Sequence, residues 1–270
     1  MVLSSRENPA IQQYQKCRLH KKFRDRFGLF CLEGVRLVCD AIKSNASLEK
    51  IFVTESCFEK HAELFADVGL KTSDVLFVTE ELALWLSDVS APQGLFALAK
   101  KLDKPQYAVT IKENGCYLAL CFIQDPGNLG TMLRTADALA MDHVFLCGGC
   151  DIYHPKVVRS TMGALFHLPF SVCTQFQPLL EQFADANLPT IATVVSKPAE
   201  DVFSLSDRGG GGVLLIGNEG NGLPPELVAA CDRRVTIPMP GGAESLNAAV
   251  AASVCMWELV RERIQKGMIP

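Results

Sequence analysis

The strongest constraint on the fold is a device used twice near the carboxyl end: a short apolar run that stops at glycine. Val213–Ile216 runs into Gly217-Asn218-Glu219-Gly220-Asn221-Gly222. Arg234–Met239 (RVTIPM) runs into Pro240-Gly241-Gly242, and Ser245-Leu246-Asn247 then opens a long alanine-rich helical pattern. Short apolar runs bounded by turn residues predict buried strands. Strands that end in glycine loops at the carboxyl edge of a sheet are where α/β folds place ligands. Two such loops, close in sequence and rich in polar side chains, predict one shared pocket. The loop GNEGNGLP has no Gly-Lys-Ser/Thr and does not fit the spacing G-x-G-x-x-G, which disfavours a phosphate cradle.

Upstream, apolar runs alternate with helical spacing. Residues 8–26 predict a helix behind an Asn8 cap with Pro9 in the first turn. Strands follow at Phe27–Leu32, Leu48–Thr54, Asp74–Val78 and Gly94–Ala99, with helices at Val35–Lys43, Cys57–Val68 and Thr79–Ser87. Thr79 caps the last of these, with Glu80 and Glu81 in its first turn. This predicts a small α/β domain over residues 1–100. Residues 101–115 are polar, charged and broken by Pro105, as a linker is. A second domain then covers 116–270. Its strands are Cys116–Ile123, His143–Cys147, Leu168–Val172, Pro189–Val195 and the two late runs. Asn128 is placed in the loop after the first strand, and helices at Gly130–Ala140, Pro155–Ala164 and Phe176–Ala186. Ser204–Gly212, with four consecutive glycines, predicts a flexible loop. Six strands alternating with helices predict an α/β fold built on a parallel, doubly wound sheet flanked by helices.

Composition excludes several classes. No stretch of the 270 residues is long and apolar enough to span a membrane. The start, MVLSSRENPAIQQ, has no apolar core behind a charged leader, so a cytoplasmic protein is expected. The eleven cysteines then read as reduced thiols, mostly buried. Cys147-Gly148-Gly149-Cys150 has redox or zinc spacing, but His154 is followed by no fourth ligand, and the pair reads as plain cysteines with no metal. The net charge is −4, unevenly spread: residues 1–30 carry +5 and the remainder −9. A concentrated basic face can hold phosphates on an acidic chain. Lys21, Lys22 and Arg24 in that segment, with Arg159 further on, are the candidate contacts for nucleic-acid phosphates; the alternative is a solvated helix face.

A third stretch, Gln124-Asp125-Pro126-Gly127-Asn128-Leu129-Gly130-Thr131-Met132-Leu133-Arg134, completes a pattern. Asn128, Gly130 and Arg134, then Gly217-Asn218-Glu219-Gly220 with Gly222-Leu223, then Ile237-Pro238-Met239 with Ser245-Leu246-Asn247, resemble the three ordered motifs of the SpoU (TrmH) class of SPOUT RNA methyltransferases. The resemblance covers about residues 115–265, and more loosely the start of the chain, where that family often carries a ribosomal-protein-like substrate-binding domain. It implies a carboxyl-terminal trefoil knot, a homodimer, and methyl transfer from S-adenosyl-L-methionine to a ribose 2′-hydroxyl of RNA, with ribosomal RNA favoured and transfer RNA the alternative. It implies cofactor contacts, largely main-chain, at Thr193, Gly217, Ile237, Met239 and Leu246. It assigns the chemistry to Arg134, Asn128, Glu219, Ser245 and Asn247. Arg134 is the family's usual activator of the hydroxyl, yet a guanidinium keeps its proton at ordinary pH. Either it acts as a base when desolvated, or it polarises the hydroxyl while Glu219 or water takes the proton. Two other classes compete: a non-catalytic RNA-binding factor that keeps the fold, and a dinucleotide- or nucleotide-binding enzyme, which the missing phosphate motifs oppose.

Overall fold

The computed structural model describes residues 2–195, 198–208 and 211–267, in two compact units. The first comprises Met1–Leu102 and Asp151–His167; the second, Asp103–Cys150 and Leu168–Pro270.

The first unit begins with β1 (Val2–Leu3), too short to leave a mark in the sequence. α1 (Pro9–Leu19) starts where the Asn8 side chain accepts a hydrogen bond from the Ala10 amide. A single helix was expected over 8–26, but the backbone turns extended at His20 and restarts as α2 (Lys21–Phe27). Gly28 closes α2 in the left-handed region at φ 63°. Phe27 is therefore helical, and the strand expected from it, β2, is Leu29–Glu33. α3 (Val35–Lys43) and β3 (Leu48–Thr54) fall where the apolar spacing puts them. The helix expected over 57–68 is two, α4 (Glu55–Lys60) and α5 (Ala62–Asp67), parted at His61. β4 (Leu76–Val78) leads to α6 (Glu80–Leu86), whose Leu82 amide donates to the Thr79 hydroxyl, and then to β5 (Leu95–Lys100). The sheet order is β1-β4-β3-β5-β2, with β5 antiparallel to both its neighbours. Ile11, Tyr14, Phe52 and Phe96 fill its core.

In the second unit, the stretch expected to be a free linker is partly packed. Val109 and Ile111 rest on the unit's core, and the Lys112 amide donates to the Tyr117 hydroxyl. β6 (Cys116–Cys121) is buried throughout, as an uninterrupted apolar run demands. α7 (Pro126–Ala138) starts four residues earlier than expected. Asp125 is its cap, accepting from the Asn128 amide at 2.8 Å, with Pro126 in the first turn. Asn128 thus lies in the helix, not in the loop before it. β7 (His143–Cys147) follows.

The next segment was expected in the second domain. Instead Asp151–His167, carrying α8 (Pro155–Ser160), groups with the first unit. Asp151 accepts from Arg24 at 2.6 Å, and Tyr153 lies against Phe30.

β8 (Phe170–Cys173), α9 (Gln177–Asp185), β9 (Thr190–Thr193) and β10 (Glu200–Asp201) complete the middle of the second unit. Val202–Arg208 coils as a 3₁₀ helix where a loop was expected; Gly209 and Gly210 of that expected flexible loop lie outside the described residues. β11 (Gly212–Ile216), α10 (Pro225–Ala230), β12 (Arg233–Thr236) and α11 (Ala248–Gln265) end the fold. The sheet is all parallel, in the order β10-β12-β9-β11-β6-β7-β8. The two-residue β10 adds a seventh strand to the six expected. Phe183 and Leu179 of α9 and Leu227 of α10 pack on Tyr117, Phe145 and Leu215 on one face. α11 packs against α7, β11 and β6.

Candidate functional site

The carboxyl ends of β9, β11 and β12, with the loops that follow them and the start of α11, enclose a cavity of about 860 Å³. Thr193, Gly217, Ile237, Met239 and Leu246 all line it, as do Glu219 and Ser245. Its walls mix apolar side chains with loop backbone, and its volume lies in the range of small-molecule sites, roughly 300–1,000 Å³.

The loop after β11 folds tightly on itself. The Asn218 amide donates to the Gly222 carbonyl at 3.0 Å, and the Gly222 amide returns a bond to Asn218 at 2.9 Å. A Cβ on Gly217 would come within 2.2 Å of the backbone at Gly222 and Leu223, so no side chain fits there. Asn218 also accepts from the Gly220 and Asn221 amides and donates its side-chain amide to the Phe122 carbonyl. In the sequence Asn218 stands out only as a member of the Gly217-Asn218-Glu219-Gly220 motif, with nothing to mark it as the residue that closes the loop.

One hydrogen-bonded chain joins the three distant motifs. The Glu219 carboxylate accepts from the Gln124 amide (3.1 Å), the Asp125 amide (3.0 Å), the Asn128 side-chain amide (3.1 Å) and, more distantly, the Asn218 side-chain amide (3.5 Å). Asn128 in turn accepts from the Asn247 side chain at 3.1 Å. Asn247 caps α11, its carbonyl oxygen accepting from the Ala249 and Val250 amides. Below this, Thr135 of α7 and Ser253 of α11 share a hydrogen bond of 3.1 Å. Partial burial pushes the Glu219 carboxyl up, but the Asp125 and Gln124 amides and Asn128 outweigh it and hold the group below its ordinary value. A carboxylate with four donors and a lowered pKa is a poor proton acceptor. This geometry opposes Glu219 as the base and makes it the pin that joins two loops to α7.

Arg134 sits six positions after Asn128, on the exposed side of α7. It is outside the cavity lining, and among the described residues its side chain has no hydrogen bond or ion pair. Asn128 and Asn247 are likewise beside the cavity rather than in its lining. Thr193 donates its hydroxyl to the Leu215 carbonyl at 2.9 Å, so its side chain ties β9 to β11.

Among the candidate RNA contacts, Arg24 is corrected by the structure. Its side chain is 3% exposed, and it donates to Asp151 and to the carbonyls of Cys17 and Arg18. All its donors are turned inward, so no phosphate reaches it. Arg159 is held by Asp88 at 2.7 Å and by Glu33 at 3.5 Å. Lys21 is exposed and pairs with Asp25 at 3.4 Å; Lys22 is exposed. Cys147 ends β7 and faces the core, and the two glycines after it turn the chain at φ 72° and 87°.

Comparison with known proteins agrees with this geometry. Residues 115–257 match the SpoU rRNA Methylase family, and residues 8–97 the MRM3-like substrate binding domain. The chain is 31% identical over 287 residues to the zebrafish mitochondrial rRNA methyltransferase 3A, covering 88% of this chain and 65% of that one. It is 29% identical to the Bacillus subtilis 23S rRNA (guanosine(2553)-2′-O)-methyltransferase RlmP, covering 95% of this chain and 98% of the relative. The crystal structure of the SpoU methyltransferase AviRb from Streptomyces viridochromogenes in complex with AdoMet superposes with a TM-score of 0.83 at 28% identity, covering 96% of this chain and 99% of that one. The fold and the three joined motifs are those of a SpoU-class protein. This chain belongs to the SpoU rRNA methylase family.

Proposed function

We propose that the protein is an S-adenosyl-L-methionine-dependent RNA 2′-O-ribose methyltransferase acting on ribosomal RNA. The observation that carries the proposal is the hydrogen-bonded chain from Glu219 through Asn128 to Asn247, which fixes α7 beside the cavity. When bound, the sulfonium of the cofactor supplies the methyl group. The glycine loop at Gly217 and the strand ends at Thr193 and Ile237 supply close-packed backbone for an adenosine. Leu246 and Met239 supply apolar wall. α7 presents Arg134, whose unmade hydrogen bonds suit a ribose hydroxyl and its neighbouring phosphate. A guanidinium keeps its proton, and Glu219 is engaged, so the hydroxyl proton passes to water at this exposed face. Arg134 orients and polarises. Ser245, in the cavity lining, is a further polar contact for the ribose or cofactor. That AviRb is seen with AdoMet and that RlmP is a 2′-O-methyltransferase of 23S rRNA support the cofactor and the substrate class.

The same proposal includes a homodimer. Val250, Trp257 and Ile264 of α11 are 51%, 45% and 40% exposed and recur every seven residues, a stripe that a second copy would cover. It includes the trefoil knot, which membership of the SpoU family implies. It includes the cytoplasm or another reducing compartment, supported by eleven free cysteines. Mapping 2′-O-methylated positions in ribosomal RNA from cells with and without the protein tests the reading: one or a few sites should disappear, and an unchanged map would contradict it.

A further inference from the structure

The amino-terminal basic segment divides sharply once its partners are known. Arg6 pairs with Glu81, Arg18 donates to the Ser87 carbonyl, Lys21 pairs with Asp25, and Arg24 is buried on Asp151. Lys16, His20 and Lys22 are exposed and, among the described residues, make no side-chain hydrogen bond or ion pair. These three and Arg26 ring a cleft of about 460 Å³ between α1 and α2, whose other walls are Phe23 and Phe27. Phe27 is 49% exposed. It rests on Phe23 with ring centroids 4.4 Å apart, and the Arg26 guanidinium lies 5.3 Å from its centroid.

A single exposed phenylalanine needs no explanation. One braced by a second ring and ringed by four basic side chains has the chemistry of a single-stranded nucleic-acid platform: a π-face for a base and cations for the phosphates on either side. We propose that Phe27, braced by Phe23, stacks an unpaired base of the RNA substrate, while Lys16, Lys22 and Arg26 hold the flanking phosphates. The contact thus moves from Lys21 and Arg24, which are already paired, to their unpaired neighbours. The inference rests on RNA being the substrate and says where the first unit grips it. Stacking tolerates any base, so this site favours unpaired segments over duplex and reads no sequence.

Fluorescence anisotropy of the full chain with a labelled oligoadenylate of about ten nucleotides tests it, against an RNA duplex of similar length. Phe27→Leu keeps apolar packing on Phe23 and removes the aromatic face; it should weaken single-strand binding by about ten-fold and duplex binding by less than about two-fold. Phe27→Trp should restore it. The combined Lys16→Gln, Lys22→Gln, Arg26→Gln variant should flatten the slope of log affinity against log salt by about 2, at about 0.7 for each phosphate released. Lys21→Gln should leave that slope within about 0.3 of wild type, since Lys21 already has its partner. Titration with S-adenosyl-L-methionine, expected to be unchanged in every variant, shows that the fold is intact. Wild-type affinity and slope in both the Phe27→Leu and the triple variant overturn the platform and leave the methyltransferase reading standing. An equal loss on single strand and duplex overturns the stacking role. A wild-type chain that binds S-adenosyl-L-methionine but neither RNA overturns the RNA substrate itself, and the platform with it.

Discussion

The two parts of α7 are built on opposite terms. Its first turn is saturated: Asn128 gives one hydrogen bond to Glu219 and takes one from Asn247. Further along, Arg134 is exposed and unengaged among the described residues. A polar group whose bonds are all made within the protein holds the frame, whereas one left unmade on a rigid element is available to a ligand. The same contrast recurs in the first unit between Arg24, with every donor turned inward, and Lys22, with none engaged. Residue type alone does not separate these pairs; their partners do.

The sharpest test of that division is in the first unit. Arg24→Ala leaves the mostly buried Asp151 carboxylate with the Tyr153 amide but without its cation, and should cost about 3–5 kcal/mol in denaturant unfolding. A loss below about 1 kcal/mol would make Arg24 an ordinary surface cation. In the second unit, Arg134→Ala should lower methyl transfer by about 10²–10³-fold, the scale of a lost electrostatic contact to a reacting group, with cofactor affinity unchanged. Normal turnover would remove Arg134 from the chemistry.

His143 extends the saturated class to a titrating group. It is buried, with its Nε2 2.9 Å from the Ser171 hydroxyl. Burial, aided by the Lys104 charge, lowers its pKa to about 4. The unfolded chain takes up that proton near 6.5, so stability is complete above this pH and drains away as pH falls toward 4, by about 3 kcal/mol at the limit. Unfolding of wild type and His143→Gln at pH 7 and pH 4.5 should show a steeper acid loss in wild type; parallel slopes would contradict it. Glu219→Gln puts an amide donor among four donors and should lower stability by about 1–3 kcal/mol and slow methyl transfer. Activity that is lost with no change in stability would return Glu219 to a chemical role. The smallest effect belongs to Lys21→Gln, within about 0.5 kcal/mol, because an exposed pair contributes little.

Much of this was written plainly in the chain, and the omissions have physical causes. Val35–Lys43 was legible because it presents one apolar face at helical spacing, and Leu48–Thr54 because Ile51, Phe52 and Val53 make a short apolar run. β1 and β10 were not, since two residues carry no period. The early start of α7 was legible in principle: Asp125-Pro126 is a cap followed by a first-turn proline. The grouping of Asp151–His167 with the first unit rests on contacts between residues far apart in sequence, among them Arg24–Asp151, 127 positions apart, Phe30–Tyr153 and Arg159–Asp88. In the site, the cavity-lining residues were legible through the family pattern, because strand ends and glycines are local features. The pinning role of Glu219 was not, because two of its four donors are backbone amides, which every residue but proline has.

The account stands on the cavity between the loops after β11 and β12 being the cofactor site. A crystal structure of the chain grown with S-adenosyl-L-methionine tests this most directly. The account predicts an adenosine held by the backbone at Gly217, Ile237 and Leu246, with the methyl group turned toward a ribose position that Arg134, of the same chain or of a second copy, can reach. Density for the cofactor anywhere else in the molecule, or a full cavity whose methyl no Arg134 side chain approaches, would contradict it.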